Sequence, residues 1–163
     1  MNIEALFAQY GRDAQHQMQA VFASIFILQN RVQTAGERLQ GGVTMKQWLL
    51  LAMTAAFPDA RTLTELGRLM GCSRQNVKKL AAALEKKGFA RLIPGANNSV
   101  RLELTDKAAE YAQETQLGNM QALQLLFADF SAQELEVLFG LYGKLYAGVA
   151  RLEEYAEAAE KGR

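Results

Sequence analysis

The 163-residue sequence predicts a mainly α-helical protein with one small β-hairpin, and three observations carry that expectation. Long stretches on both flanks repeat apolar residues at helical spacing with few breakers. Residues 73–88, Ser-Arg-Gln-Asn-Val-Lys-Lys-Leu-Ala-Ala-Ala-Leu-Glu-Lys-Lys-Gly, read as a capped helix with one apolar and one basic face. Directly after it, two short alternating segments flank the turn-rich run Pro94-Gly95-Ala96-Asn97-Asn98-Ser99, which is how a hairpin reads.

Taken in order, residues 3–38 contain almost no breaker apart from Gly11, and Met18, Val21, Phe22, Ile25, Leu28 and Val32 recur at helical spacing. One long helix, or two joined near Gly11, fits this pattern. Gly41-Gly42 ends the region, and Thr44 is placed to cap a helix carrying Trp48, Leu49, Leu51, Ala52 and Met53 that Pro58-Asp59 stops. Thr62-Leu-Thr-Glu65 fits a capping box, in which hydroxyl and carboxylate each serve the other's backbone amide. Leu66, Leu69 and Met70 follow in a short helix ending at Gly71. Ser73 then caps the basic helix and Gly88 suits the left-handed residue that ends it. Phe89–Ile93 and Val100–Leu104 are strand-like, and Thr105 caps a helix over 106–128 in which Ala108, Tyr111, Leu117, Met120, Leu123, Leu126 and Phe127 offer packing and Gly118 is out of place. Ser131-Ala-Gln-Glu134 opens the last helix as a second capping box. There Leu135, Leu138, Tyr142, Leu145, Val149, Leu152 and Ala156 alternate by three and four residues, the narrow seam of helix against helix. Gly140, Gly143 and Gly148 each cost about 1 kcal/mol relative to alanine inside a helix, which points to a close crossing or a kink.

Short helix, glycine turn, basic helix and hairpin are the order of a winged helix-turn-helix. The fold class is therefore a winged helix-turn-helix lobe over 44–105, with helical dimerisation regions over 1–43 and 106–163. Within the basic helix Val77, Leu80, Ala81 and Leu84 form one stripe, while at about 100° per residue Gln75, Lys79, Ala82 and Lys86 lie opposite. Glu85 is the one carboxylate, whereas a solvated face usually mixes in acids. The net charge of +1 hides an uneven distribution: residues 61–107 hold ten bases and four acids, and residues 108–163 hold four bases and nine acids. The basic middle attracts phosphate, so double-stranded DNA is the expected partner.

With 50% apolar and 21% charged residues the chain supports a core and gives no compositional case for disorder. Cys72 alone cannot form an internal disulfide, and His16 has no partners for a metal set, so neither metal nor cofactor is expected and a reducing cytoplasm is favoured. No stretch approaches the roughly 18 continuous apolar residues of a membrane helix, and the start lacks a secretory pattern. An enzyme is disfavoured because no nucleophile and base, phosphate loop or ligand cluster is present.

Residues 44–105 resemble the winged-helix core of the MarR (multiple antibiotic resistance regulator) family. The matching segments are Thr44-Met-Lys-Gln-Trp-Leu-Leu-Leu, Leu63-Thr-Glu-Leu-Gly, Met70-Gly-Cys-Ser-Arg-Gln-Asn-Val, Leu84-Glu-Lys-Lys-Gly-Phe and Leu102-Glu-Leu-Thr. No one of them is diagnostic, but their order and spacing together are strong. The resemblance implies a homodimeric bacterial or archaeal transcription regulator, more often a repressor, that puts one recognition helix per subunit into successive major grooves of a near-palindromic site. It also implies release by a small aromatic ligand held between the dimer helices and the lobe. Carried over by position, Ser73, Arg74, Gln75, Asn76, Lys78 and Lys79 form the contact set, with Arg91 and Arg101 on the hairpin strands and Asn97 and Asn98 at its tip. Gln75 and Asn76 suit adenine, Arg74 suits guanine or phosphate, and the lysines neutralise phosphate. The family's Asp-Arg-Arg wing tip falls on Ala96-Asn97-Asn98, so the wing lacks an arginine to enter a minor groove.

Several residues carry a plain and a sharp reading side by side. Cys72 packs as a small apolar residue, or acts as a redox sensor. His16 is a surface group, or it titrates or lines a ligand site. Met18, Phe22, Trp48 and Met53 are core by spacing, or with His16 border an apolar effector pocket. The acidic end at Glu153, Glu154, Glu157 and Glu160 is a solvated face, or a partner patch. For the whole chain, the alternative to a DNA reader is a winged-helix protein-interaction adaptor, supported by the arginine-free tip. Seven of the ten central bases lie on residues 74–101, which opposes that loss.

Overall fold

A computed structural model describes residues 3–11, 13–59 and 61–162. Positions 1, 2, 12, 60 and 163, which the sequence reading placed in its ranges 1–43, 44–105 and 106–163, lie outside the described residues. The elements are α1 (Ile3–Tyr10), α2 (Ala14–Leu39), α3 (Met45–Ala56), α4 (Leu63–Met70), α5 (Arg74–Lys86), β1 (Ala90–Pro94), β2 (Val100–Leu104), α6 (Asp106–Leu126) and α7 (Ala132–Lys161). The chain is thus mainly helical with a two-stranded antiparallel wing, in the predicted order. Compact units run over Met1–Gly118 and Asn119–Arg163.

In the first unit the open choice at Gly11 resolves into two helices. Asp13 is extended and its side chain accepts from the His16 amide, an N-cap that starts α2. Thr44 and Thr62 close complete capping boxes with Gln47 and Glu65 at the starts of α3 and α4. Both helix-ending glycines of the lobe sit in Schellman turns, the 6→1 arrangement that satisfies the last carbonyls. At the first, Gly71 has φ +61° and the Cys72 amide reaches Gly67 O at 2.9 Å. At the second, Gly88 has φ +80° and the Phe89 amide reaches Leu84 O at 3.0 Å.

The apolar stripes of α3, α4 and α5 close on the wing. Leu50, Leu63, Leu66, Val77, Leu84 and Leu102 are each at most 1% exposed and form the centre of the lobe. Tyr111 of α6 and Trp48 pack against that centre. The wing pairs Ala90 with Leu104 through to Pro94 with Val100. The first strand therefore begins and ends one residue later than the sequence reading placed it, because the Phe89 amide is already committed to Leu84 O. Phe89 instead turns inward, 7% exposed, edge-on to Tyr111 at 5.3 Å. An isolated bridge between Thr62 and Arg101 joins the entry of α4 to the wing.

Glu65 gives this lobe an acid sensitivity. The Thr62 hydroxyl, and then its amide, hold the Glu65 carboxyl below the usual carboxylate range. A depressed folded value means that the contribution is fully present above the ordinary unfolded value and disappears as pH falls through the lower folded one. Thermal melts taken from neutral pH downward are expected to show the wild type losing more stability than Glu65→Gln; parallel losses would reject the assignment.

In the second unit Ser131 and Glu134 form the predicted capping box. Helix α7 then runs unbroken through Gly140, Gly143 and Gly148, and a Cβ at Gly140 or Gly143 would meet nothing within 4 Å. Within this chain Gly140 and Gly143 thus mark no close crossing. The α7 seam stands exposed: Leu135 43%, Tyr142 49%, Val149 43% and Leu152 56%. Helix α6 likewise continues through Gly118.

Candidate nucleic-acid interface

The basic helix is built so that burial fixes its orientation. Val77, Ala81 and Leu84 are fully buried, which forces the opposite side outward. Ser73, Arg74, Gln75, Asn76, Lys78 and Lys79 are all exposed, and so are Ala82 and Lys86. The Ser73 hydroxyl accepts from the Asn76 amide at 3.3 Å, so this side chain first serves as the N-cap. The remaining amides of the first turn of α5 and the positive end of its dipole lie beside Arg74 and Gln75, an arrangement suited to phosphate.

Glu85 has a structural task on this helix. Its Oε1 accepts from the Leu92 amide at 2.7 Å, which fastens β1 to the last turn of α5. This carboxylate is a structural strap for the wing, a role that linear spacing did not reveal. Not every central base is free either. Lys87 Nζ donates to Gly42 O at 2.7 Å and to Gln47 Oε1 at 2.9 Å. Lys107 Nζ donates to Lys87 O at 2.8 Å and stands 4.8 Å over the Phe89 ring. Arg61 has its Nε buried without a hydrogen-bond partner.

On the wing Arg91 is exposed, whereas Arg101 is half-buried and close enough to Glu65 to lower its carboxyl. Asn97 and Asn98 at the tip are exposed with φ +54° and +57°. Asparagine is the residue after glycine that tolerates the left-handed region best, so the backbone alone accounts for these two residues. Gly95 is closely packed: a Cβ there would lie 2.4 Å from Ser99 Oγ and 2.9 Å from Arg101 Cγ, so those side chains would have to shift.

The residues grouped as a pocket do not come together. Among the described residues a groove of about 710 Å³ is lined by Gln29, Val32 and Gln33 of α2, Met45, Lys46, Trp48 and Leu49 of α3, the Met70-Gly71-Cys72 turn, and Asn76, Lys79 and Leu80 of α5. Of the five expected residues only Trp48 lines it. Met18 and Phe22 are 66% and 59% exposed on an unpartnered face of α2, and Met53 packs against the lobe core. His16 is exposed and donates from Nδ1 to Asp13 Oδ2 at 2.6 Å; the His16 amide is the main reason the Asp13 carboxyl lies below its usual range. Cys72 is half-buried against the core, as its plain reading expected, while also edging the groove.

A helix pair with an exposed basic second helix and a strapped β-wing defines a winged helix-turn-helix fold. Residues 41–98 match the MarR family model. Solved structures extend the likeness in fold to most of the chain. A MarR/EmrR family transcriptional regulator from Acinetobacter sp. ADP1 aligns with TM-score 0.74 and 17% identity over 82% of this chain and 96% of that one. Sco3205 of Streptomyces coelicolor, a MarR family regulator in complex with DNA, gives TM-score 0.72 and 22% identity over 84% and 92%. The organohalide-sensing regulator RdhR, in its 2,4-dichlorophenol-bound form, gives TM-score 0.70 and 15% identity over 85% and 83%. A comparison with curated proteins gives no match. Among the described residues no helix is long and apolar enough to cross a membrane.

Proposed function

We propose that this chain is a cytoplasmic, homodimeric repressor that binds a near-palindromic DNA site and lets go when a small aromatic ligand enters the groove. The observation that carries the reading is α5, whose buried stripe holds Arg74, Gln75, Lys78 and Lys79 outward in one exposed patch. Two such helices related by a two-fold axis suit half-sites centred about 10 bp apart. Dimerisation draws support from apolar residues with no cover in one chain, such as Phe22 and Phe26 of α2 at 59% and 54% and Phe139 and Tyr146 of α7 at 82% and 74%. An exposed apolar face on a helix usually marks an interface. The DNA complex of Sco3205 and the ligand-bound RdhR support the two binding events by analogy of fold.

The groove suits an aromatic acid, because Trp48 and Leu49 offer an apolar wall and Lys46 and Lys79 offer charge. Occupancy there would engage Asn76 and Lys79, two residues of the contact set. The test is binding to the duplex upstream of the protein's own gene, at two salt concentrations and with excess unrelated duplex. Saturable, competitor-resistant binding that weakens with salt is expected. Trp48 is the sole tryptophan, so its fluorescence reports whether an added aryl carboxylate, such as salicylate, fills the groove and displaces that duplex. Equal affinity for upstream and unrelated DNA would instead favour the protein-interaction adaptor.

A further inference from the structure

We infer that Lys87 is a positioning residue that locks the C-terminal end of the recognition helix to the junction where α2 meets the lobe, rather than a contact to DNA phosphate. The inference rests on the DNA-reading function proposed above. By sequence Lys87 is one more base at the end of a basic helix. In the fold its ammonium bonds Gly42 O and Gln47 Oε1 at 2.7 and 2.9 Å, and so reaches across to the α2–α3 loop. Both acceptors are held in place. Gly42 sits at φ +83°, a conformation open to glycine. Gln47 is 7% exposed, and its Oε1 also accepts from the Thr44 amide at 3.2 Å in the α3 capping box.

The other side of the joint is tied as well. The Lys87 carbonyl, one of the unpaired carbonyls at the helix end, accepts from Lys107 of α6 at 2.8 Å. Phe89 beneath that ammonium packs edge-on against Tyr111, whose hydroxyl donates to Gln40 Oε1 at the end of α2 at 2.5 Å. Four helix ends, those of α2, α3, α5 and α6, therefore meet in one network with Lys87 at its centre. The leverage is large. Gln75 lies twelve residues away, about 18 Å along the helix axis, so a 10° rotation at the joint would move it by about 3 Å. That is as long as a hydrogen bond, and no base contact survives it.

The test compares Lys87→Met and Lys87→Arg with the wild type on the upstream duplex and on versions with one base pair added or removed between half-sites. Lys87→Met is expected to bind the natural spacing about tenfold more weakly, with an unchanged slope of log affinity against log salt. It should also discriminate less among spacings, because a loosened joint lets each helix settle where it can. Lys87→Arg, which can still reach both acceptors, should recover most of the loss. A slope reduced by about 0.9 would show that Lys87 neutralises a phosphate and would overturn the proposal. Equal weakening at every spacing, or no change, would also overturn it. A second measurement is independent of DNA. Spin labels at Arg38→Cys and Ala82→Cys in a Cys72→Ser background, diluted with unlabelled protein, report the α2-to-α5 distance. A broader distribution in Lys87→Met supports the lock and an unchanged one rejects it. Should the wild type bind no duplex specifically, the function fails while the lock is still judged by this distance.

Discussion

Gly67→Ala is expected to abolish DNA binding and to destabilise the lobe by about 1–3 kcal/mol, the cost of forcing an extra carbon into a packed site. Gly67 is buried within α4, against the turn that leads to α5, and a Cβ there would stand 2.7 Å from the Cys72 carbonyl oxygen. The clash is with backbone, so no rotamer change relieves it. The same Cβ would lie 3.6 Å from the Arg74 amide, so the turn relaxes by moving the start of the recognition helix. Gly71→Ala is the control. Gly71 has φ +61° and open space around it, so alanine there pays only the left-handed penalty of about 1 kcal/mol. Chemical denaturation and duplex binding, measured at a temperature where both variants remain folded, should order them Gly67→Ala below Gly71→Ala on both scales. The reverse order would mean that the turn is not the rigid element described.

Gln75→Ala and Lys79→Ala should fail in different ways. Gln75 is exposed in the first turn of α5, opposite the buried stripe, where an amide can offer its paired donor and acceptor to an adenine edge. Its loss is expected to cost about 1–3 kcal/mol at one base position and to relax preference there, which a competition series over single-base variants would read. Lys79 carries charge without a planar fork, so Lys79→Ala should weaken all sequences alike and reduce the salt slope by about 0.9. Lys79 also lines the groove. An unchanged slope with altered aryl carboxylate affinity would move it from the DNA face to the ligand site.

Much of this fold was legible along the chain because its signals are local. The cap at Thr44 and the capping boxes at Thr62 and Ser131 need only a hydroxyl and, for the boxes, a carboxylate three positions on, and each opens its helix. The glycines that end α4 and α5 are read from the same short span. The outward face of α5 was legible too, since burying Val77, Ala81 and Leu84 leaves a single outward direction for Gln75 and Lys79. What periodicity could not separate was an apolar residue that packs inside the chain from one left without cover. Met18 and Phe22 share helical spacing with true core residues, yet stand exposed on α2.

Charge was the least legible property of the site. Lys78, Lys86, Lys87 and Lys107 are alike in sequence, but Lys87 and Lys107 are bound to carbonyls contributed by segments 45 and 20 residues away. Glu85 looked like the one acid on a DNA face and is a strap for β1. By itself, then, the sequence determined the order of helices, the winged-helix class and the outward face of α5, because backbone capping and amphipathic burial act within a few turns. Only the tertiary structure decided which bases are tied to carbonyls, where the groove lies and what Lys87 holds at the end of α5, because those depend on which distant carbonyls and side chains the fold brings within hydrogen-bonding reach.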